Sequence, residues 1–129
     1  MEIEQHTIRY SVGSGEFEDS PAECLGCFGV IPTHIPASEW YSVIHLNTGI
    51  ACGSFHGFVT ALCFVRDVST VADFNTSDIE IFFNKQIAER VKAIAKIYGA
   101  INSGAEVSPS WRPPEGINAD AVRPCYEER

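Results

Sequence analysis

The stretch WYSVIHLNTGIACGSF, residues 40–55, constrains the fold more than any other part of the chain. It holds two short apolar runs separated by the turn sequence NTG at residues 47–49. A three-residue loop that ends in glycine is a common hairpin connection, because its last residue takes a positive φ that glycine adopts at low cost. The stretch therefore predicts a β-hairpin.

The turn also sets the register of the predicted hairpin. The predicted pairs are Leu46–Ile50, Ile44–Cys52, Ser42–Ser54 and Trp40–His56 on one face, and Tyr41–Phe55 and Val43–Gly53 on the other. The first face is the more apolar, so we expect it to form the core, and the second stays open as a homodimer seam. A two-residue turn at Thr48 and Gly49 would shift the pairing by one residue and exchange these neighbours.

Periodicity predicts two helices after the hairpin. Residues 56–69 place apolar side chains at helical spacing, and Ser54 is the expected N-cap. Residues 77–98 begin with a capping-box sequence at Ser77, with Asn84 as an alternative start, and Gly99 ends this helix.

The rest of the chain gives weaker signals. Residues 6–12 alternate like a half-buried strand, residues 16–23 (EFEDSPAE) are interpreted as an acidic loop, and residues 24–31 as a strand or a buried loop. Residues 105–129 are proline-rich and have no periodicity, which indicates an extended tail packed on a single domain of residues 1–104. We predict an α+β fold, with a small antiparallel sheet built on a central hairpin at about residues 40–55. Two helices, at about 56–69 and 77–98, pack on this sheet.

Charge is distributed unevenly along the chain. The formal net charge is -8, which disfavours direct binding to nucleic acid or to an anionic membrane. Residues 1–39 carry seven acidic residues and a single arginine, Arg9. This segment is either an ordinary solvated surface or a face that docks on a basic partner. The candidate partner-binding residues are Glu16, Glu18, Asp19, Glu23 and Trp111.

Cysteine usage bears on the compartment and on metal binding. Five cysteines without an export signal lead us to expect reduced thiols, a cytoplasmic protein and no cofactor. A four-ligand zinc set can be drawn from Cys24, Cys27, Cys52 and His56. An extended strand would hold the last two roughly 13 Å apart at about 3.3 Å per residue, so small buried cysteines are the preferred interpretation.

Catalysis has little support in the sequence. Cys52 lies near His45 and His56 in the predicted hairpin, but Cys52 and His45 point to opposite faces. No phosphate loop, dinucleotide fingerprint or hydrolase motif is present. We therefore expect a protein that is not an enzyme.

The run from Trp40 to about Tyr98, with its His45-Leu46-Asn47-Thr48-Gly49 turn followed by two helices, resembles small accessory proteins of bacteriophages and mobile elements. In size and acidity it is similar to anti-CRISPR inhibitors. The resemblance implies a protein-binding inhibitor or regulator that blocks a basic nucleic-acid-handling complex in the host cytoplasm, such as a CRISPR-Cas effector. A small zinc-stabilised regulatory domain and a thiol-dependent enzyme are the alternatives.

Overall fold

A computed structural model describes residues 2–13, 15–33, 39–101 and 111–123. In this part of the chain one antiparallel sheet has the order β1-β2-β3-β4-β5, so each strand pairs with its neighbours in the sequence. The strands are β1 (Ile3–Gly13), β2 (Glu16–Leu25), β3 (Phe28–Pro32), β4 (Trp40–His45) and β5 (Ile50–His56). The helices are α1 (Phe58–Val68), a short 3-10 helix (Ile79–Phe82) and α2 (Lys85–Ile97). The predicted α+β class is confirmed.

The sheet buries apolar side chains on both faces. On the face that carries helix α1, Val43 and Phe55 are fully buried in a cluster that we call the helix-side cluster, and the Phe55 and Phe64 ring centroids lie 4.5 Å apart. On the opposite face, Ile44 and Leu46 pack with β1 side chains and with Ala121. The face expected to stay open as a homodimer seam is thus covered by the protein's own helices.

Four of the six residue pairs predicted for the β4–β5 hairpin are confirmed. Its outer pairs match, from Trp40–His56 to Val43–Gly53, but Ile44 pairs with Ala51 and His45 with Ile50. The turn holds four residues, 46–49, and a β-bulge between Val43 and Ile44 absorbs the extra residue. The bulge turns Cys52 toward the helix-side cluster, so the predicted Ile44–Cys52 pair is wrong.

The predicted acidic loop is also wrong, because residues 16–23 belong to strand β2. Acidic side chains are usually depleted in strands, but here Glu18, Asp19 and Glu23 each have a polar neighbour across the hairpin. The cross-strand contacts are Arg9 Nε to Asp19 at 3.2 Å, Gln5 Nε2 to Glu23 at 2.9 Å and the Tyr10 hydroxyl to Glu18 at 3.2 Å. Strand β2 is therefore held by contacts that lie 8 to 18 residues apart in the sequence.

Helix starts differ from two of the predicted caps. Ser54 lies inside β5, and α1 begins after Gly57, which has φ 90° and no side-chain cap. The 3-10 helix is capped by Asp78 rather than by Ser77, and α2 begins at the alternative start, where Asn84 accepts a hydrogen bond from the Ile87 amide at 3.1 Å. Gly99, with φ 70°, follows α2 as expected.

Part of the predicted tail packs on the sheet. The Asn118 side chain accepts a hydrogen bond from the Arg9 amide at 2.8 Å and donates to the Arg9 carbonyl at 2.8 Å and the Leu46 carbonyl at 3.1 Å. Nearby, Ile117 and Ala121 are buried. Asn118 thus ties the edge of β1 to the β4–β5 turn. Tail residues 105–110 and 124–129 lie outside the described residues.

Candidate functional site

The β1–β2 hairpin, which we call the arm, extends beyond the helical layer. The helices pack on β3, β4 and β5, so they leave one face of the arm bare. This face carries the odd-numbered residues of β1, since Ile3 pairs with Leu25 of the helix-side cluster and alternate residues share a face. An open groove of about 810 Å³ lies between this face and the start of α1. We call it the arm groove.

The arm groove has an apolar wall and a polar floor. Tyr41 and Phe58 form the wall, with ring centroids 5.6 Å apart and the rings edge to face. On the floor, Gln5 donates a hydrogen bond to Glu23. Glu23 has no cationic partner among the described residues. An apolar wall beside a carboxylate that has no cationic partner among the described residues suits a side chain with an aliphatic stem and a positive end.

The structure does not bring the candidate partner-binding residues onto one face. Glu18 and Asp19 are consecutive in β2, so their side chains lie on opposite faces of the arm. Glu16 is exposed at the start of β2, and only Glu23 lines the groove. Trp111 is half-buried, with its ring centroid 6.4 Å from that of Phe17. The acidic residues therefore surround the arm rather than form a single patch.

The four candidate zinc ligands are not assembled. Cys24 and Cys52 are buried in the clusters on opposite faces of the sheet, and His56 is exposed and lies 3.2 Å from Glu39. Cys27 is disulfide-bonded, which removes its thiolate. Within the described ranges no group of three or more His, Cys, Asp or Glu residues is placed to hold a metal ion.

The disulfide at Cys27 corrects the expectation of five reduced thiols. Cys24, Cys52 and Cys63 are free, and the fifth cysteine, Cys125, lies outside the described residues. Cys27 is fully buried, and its Sγ lies 3.3 Å from the carbonyl oxygen of Arg123. The spacing of the cysteines could not show this bond, because disulfide pairing depends on contacts distant in sequence.

The buried thiols are poor nucleophiles. Burial raises the pKa of Cys24 to about 11 and that of Cys52 to about 12, so both are protonated at neutral pH. Burial also lowers the pKa of His45 to about 4, which makes this imidazole a weak base. The Cys52–His45 combination is therefore not poised for thiol catalysis.

We expect alkylation to report this arrangement directly. In the native protein at neutral pH, iodoacetamide should modify Cys24 and Cys52 slowly because their thiols are buried and protonated. After unfolding without reductant, Cys24, Cys52 and Cys63 should react, and Cys27 should react only after reduction. Intact-mass and peptide mass spectrometry measure each step. Rapid modification of native Cys52 would contradict this account and revive the thiol enzyme.

Two residues have structural roles that the sequence analysis did not predict. His45 is fully buried, with Nδ1 2.8 Å from the Thr48 hydroxyl and Nε2 2.7 Å from the Phe74 carbonyl oxygen. The carbonyl can only accept, so Nε2 carries the proton and Thr48 donates to Nδ1. Asn118, with φ 54°, is the second. The one local signal for it is its place after Gly116 in a turn-forming sequence, where asparagine tolerates a positive φ.

No protein-family model matches the chain, and neither a curated protein nor a solved structure matches it. In the part of the chain that the structure describes, no helix is long and apolar enough to cross a membrane. The described residues form an α+β domain with an acidic two-stranded arm beside an open groove.

Proposed function

We propose that the protein is a small acidic protein-binding inhibitor or regulator that docks on a basic partner through its arm. The observation that supports this most is the charge of residues 2–25, which contain six carboxylates and one guanidinium. That guanidinium, on Arg9, already pairs with Asp19 at 3.2 Å. The arm therefore presents a net negative surface on an element that the helices leave accessible.

The partner we propose is a host complex that handles nucleic acid, for example a CRISPR-Cas effector. Such a complex presents lysine and arginine side chains to a phosphate backbone. An acidic arm can cover those side chains and compete with the phosphates, and its charge speeds the encounter. The protein itself would then be encoded by a phage or a mobile element and bind no nucleic acid directly.

The arm supports binding better than it supports chemistry. The groove contains one carboxylate, Glu23, and no cysteine, and the two free buried thiols are held protonated elsewhere in the sheet. The zinc-stabilised alternative would need ligands that lie on different faces of the sheet. We therefore propose a stoichiometric binding protein without catalytic activity.

We propose the host cytoplasm as the place of action, and the Cys27 disulfide weighs against this location. Reducing conditions keep most cytosolic thiols free, whereas disulfides persist in oxidising compartments. Alkylation of protein trapped rapidly from cells distinguishes the two. A reduced Cys27 supports the cytoplasmic location, and a fully oxidised Cys27 contradicts it.

Charge reversal on the arm is expected to slow association with the partner. The variant Glu2→Lys with Glu16→Lys changes two exposed residues that make no ion pair among the described residues, so the fold should be retained. We expect an association rate at low salt about tenfold lower, and a smaller dependence on salt concentration. Glu80→Lys with Glu89→Lys makes the same charge change at exposed positions of the helices, away from the arm, and is the matched control.

The measurement begins with an affinity pull-down from host lysate using the wild type, the arm variant and the control. The partner recovered at fixed stoichiometry is then purified, and its association rates are measured by surface plasmon resonance at two salt concentrations. Displacement of bound nucleic acid by the wild-type protein completes the test. Equal rates for the arm variant and the control, or a partner that holds both ligands at once, would refute the proposal.

A further inference from the structure

One stretch of the sheet edge has unpaired backbone groups. The Arg9 amide and carbonyl point away from β2, since both bond to the Asn118 side chain. Alternate residues of a strand direct these groups to the same side, and the β1–β2 pairing is regular from Ile3 to Ser11. The amides and carbonyls of Ile3, Gln5 and Thr7 therefore also point outward. Among the described residues they have no hydrogen-bond partner.

The other edges of the described sheet are each interrupted at one position. Beyond Arg9, the Ser11 amide bonds to the Gly49 carbonyl at 2.9 Å. On β5, Ser54 exchanges two backbone hydrogen bonds with Ile101, at 3.0 and 2.9 Å. The part of β2 that extends past β3 contains Pro21, which has no amide to donate. Proteins commonly block edges in these ways, so the bare run at the start of β1 stands out as available for pairing.

We propose that an extended segment of the basic partner adds to the sheet as a sixth strand, antiparallel to β1 from Ile3 to Thr7. The inference rests on the proposed function and specifies how the arm would recognise its partner. Backbone hydrogen bonds to the outward groups of Ile3, Gln5 and Thr7 supply affinity, as in other cases of strand addition. Lysine or arginine at alternate positions of the segment supplies specificity.

The arm groove explains the alternation. Ile3, Gln5 and Thr7 line the groove as well as the bare edge, so every second side chain of an added strand lies beside it. A long basic side chain reaching over β1 approaches Glu23 on the neighbouring strand β2, whereas the Tyr41–Phe58 wall lies farther along the groove. Exposed Glu2 adds a second carboxylate at the same end of β1.

Charge also selects a basic partner over a second copy of this chain. Each copy carries a formal charge of -8, and antiparallel pairing of two β1 strands would bring two acidic arms together. Two net negative arms repel one another at low salt, which disfavours this pairing. A lysine-bearing segment gains from the same field that repels a second copy.

The test uses a heptapeptide of alternating valine and lysine, acetylated and amidated, titrated into the ¹⁵N-labelled full chain. We expect chemical-shift changes at Ile3, Gln5 and Thr7 and at the groove, and slower amide exchange at Gln5 and Thr7. Two further peptides carry N-methyl groups on the lysine amides or on the valine amides. Their charge is unchanged, so they separate backbone pairing from simple attraction to the arm. The peptide whose methylated amides point away from β1 should bind like the parent. The peptide whose methylated amides face β1 should bind at least about tenfold more weakly, the loss expected for one strong hydrogen bond.

A proline variant tests the same edge from the protein side. Thr7→Pro removes an outward amide and leaves the β1–β2 ladder intact, so the fold should persist while peptide binding falls by about tenfold. Circular dichroism and thermal melting check the fold, and Gln5→Pro provides a second variant. Glu23→Gln should weaken the lysine peptide and leave an alternating valine–threonine peptide unaffected.

Three results would overturn the inference. They are no shift at β1 up to millimolar peptide, equal binding of both methylated peptides, and a self-associating wild type that Thr7→Pro makes monomeric in sedimentation. The last would assign the edge to a second copy. The captured partner separates this inference from the proposed function. If charge reversal of the arm abolishes binding of the partner and Thr7→Pro does not, the proposed inhibitor function stands and strand addition is rejected.

Discussion

Acidification from neutral pH to about pH 4 is expected to lower the free energy of unfolding by ~3 kcal/mol through His45 alone. The pKa of His45 falls from 6.5 to about 4 because the ring is buried. Between these two values the unfolded chain binds a proton that the folded protein excludes. Stability is therefore constant above about pH 6.5 from this cause, falls as the pH drops, and levels off below about pH 4.

The surroundings of His45 explain why the folded protein excludes the proton. The rings of Phe28, Phe74 and Phe82 lie against the imidazole, with centroids 5.2 to 6.1 Å away. Its two nitrogens are already matched, one to the Thr48 hydroxyl and one to the Phe74 carbonyl oxygen. Among the described residues no carboxylate is a cause of the His45 pKa shift, so protonation of the second ring nitrogen carries the desolvation cost of a buried charge.

Two matched variants isolate this effect. His45→Gln keeps an acceptor and a donor at the two ring positions but cannot titrate, so urea unfolding at several pH values should show the slope between about pH 6.5 and pH 4 largely removed. His56→Gln changes an exposed histidine and should retain the slope. The Asp67 carboxyl, whose pKa is lowered by hydrogen bonds from Arg66 and Tyr98, contributes mainly below about pH 4, at the lower end of this window. An unchanged slope in His45→Gln would refute the assignment.

Removal of the Asn118 amide is the second change with a large expected effect. Asn118→Ala deletes three hydrogen bonds, two to the Arg9 backbone and one to the Leu46 carbonyl. At about 1 kcal/mol for each bond, the free energy of unfolding should fall by ~3 kcal/mol. Alanine also adopts the positive φ of this position less readily than asparagine, which adds to the loss.

Chemical denaturation of the wild type and three variants measures the contribution of Asn118. Asn118→Asp retains an acceptor for the Arg9 amide but places a carboxylate oxygen against the Arg9 and Leu46 carbonyl oxygens, so its stability should be no higher than that of the alanine variant. Glu115→Ala changes an exposed residue in the same turn and serves as the control. A loss in Asn118→Ala no larger than in Glu115→Ala would show that the amide is not a structural link.

Local patterns predicted the elements whose causes are local. The 3.6-residue spacing of apolar side chains predicted α2. Asn84, the alternative to Ser77, is its N-cap, and Gly99 follows its end. The hairpin was found for the same reason. Its inner register was wrong because the turn holds four residues and a bulge at Cys52 compensates for the extra one, and the alternation of apolar residues does not reveal either feature.

Features set by contacts distant in sequence could not be predicted. Asp19 and Glu23 resemble loop residues until Arg9 and Gln5 are placed across from them. The arm groove depends on where Phe58 lies relative to β1, and no period in the sequence encodes that distance. Asn118 contacts a residue 109 positions away, so its role appears only once the sheet is assembled.

The long separation in sequence between Arg9 and Asn118 sets an order of events during synthesis. Every strand pairs with the strand just before it in the chain, so the sheet can grow stepwise behind the ribosome with short loops to close. Asn118 can join Arg9 only after more than a hundred intervening residues have emerged. We expect the nascent sheet to expose the outer edge of β1 from Ile3 to Arg9 until that moment. This interval would be the one in which the chain is most open to mispairing with other unfinished chains.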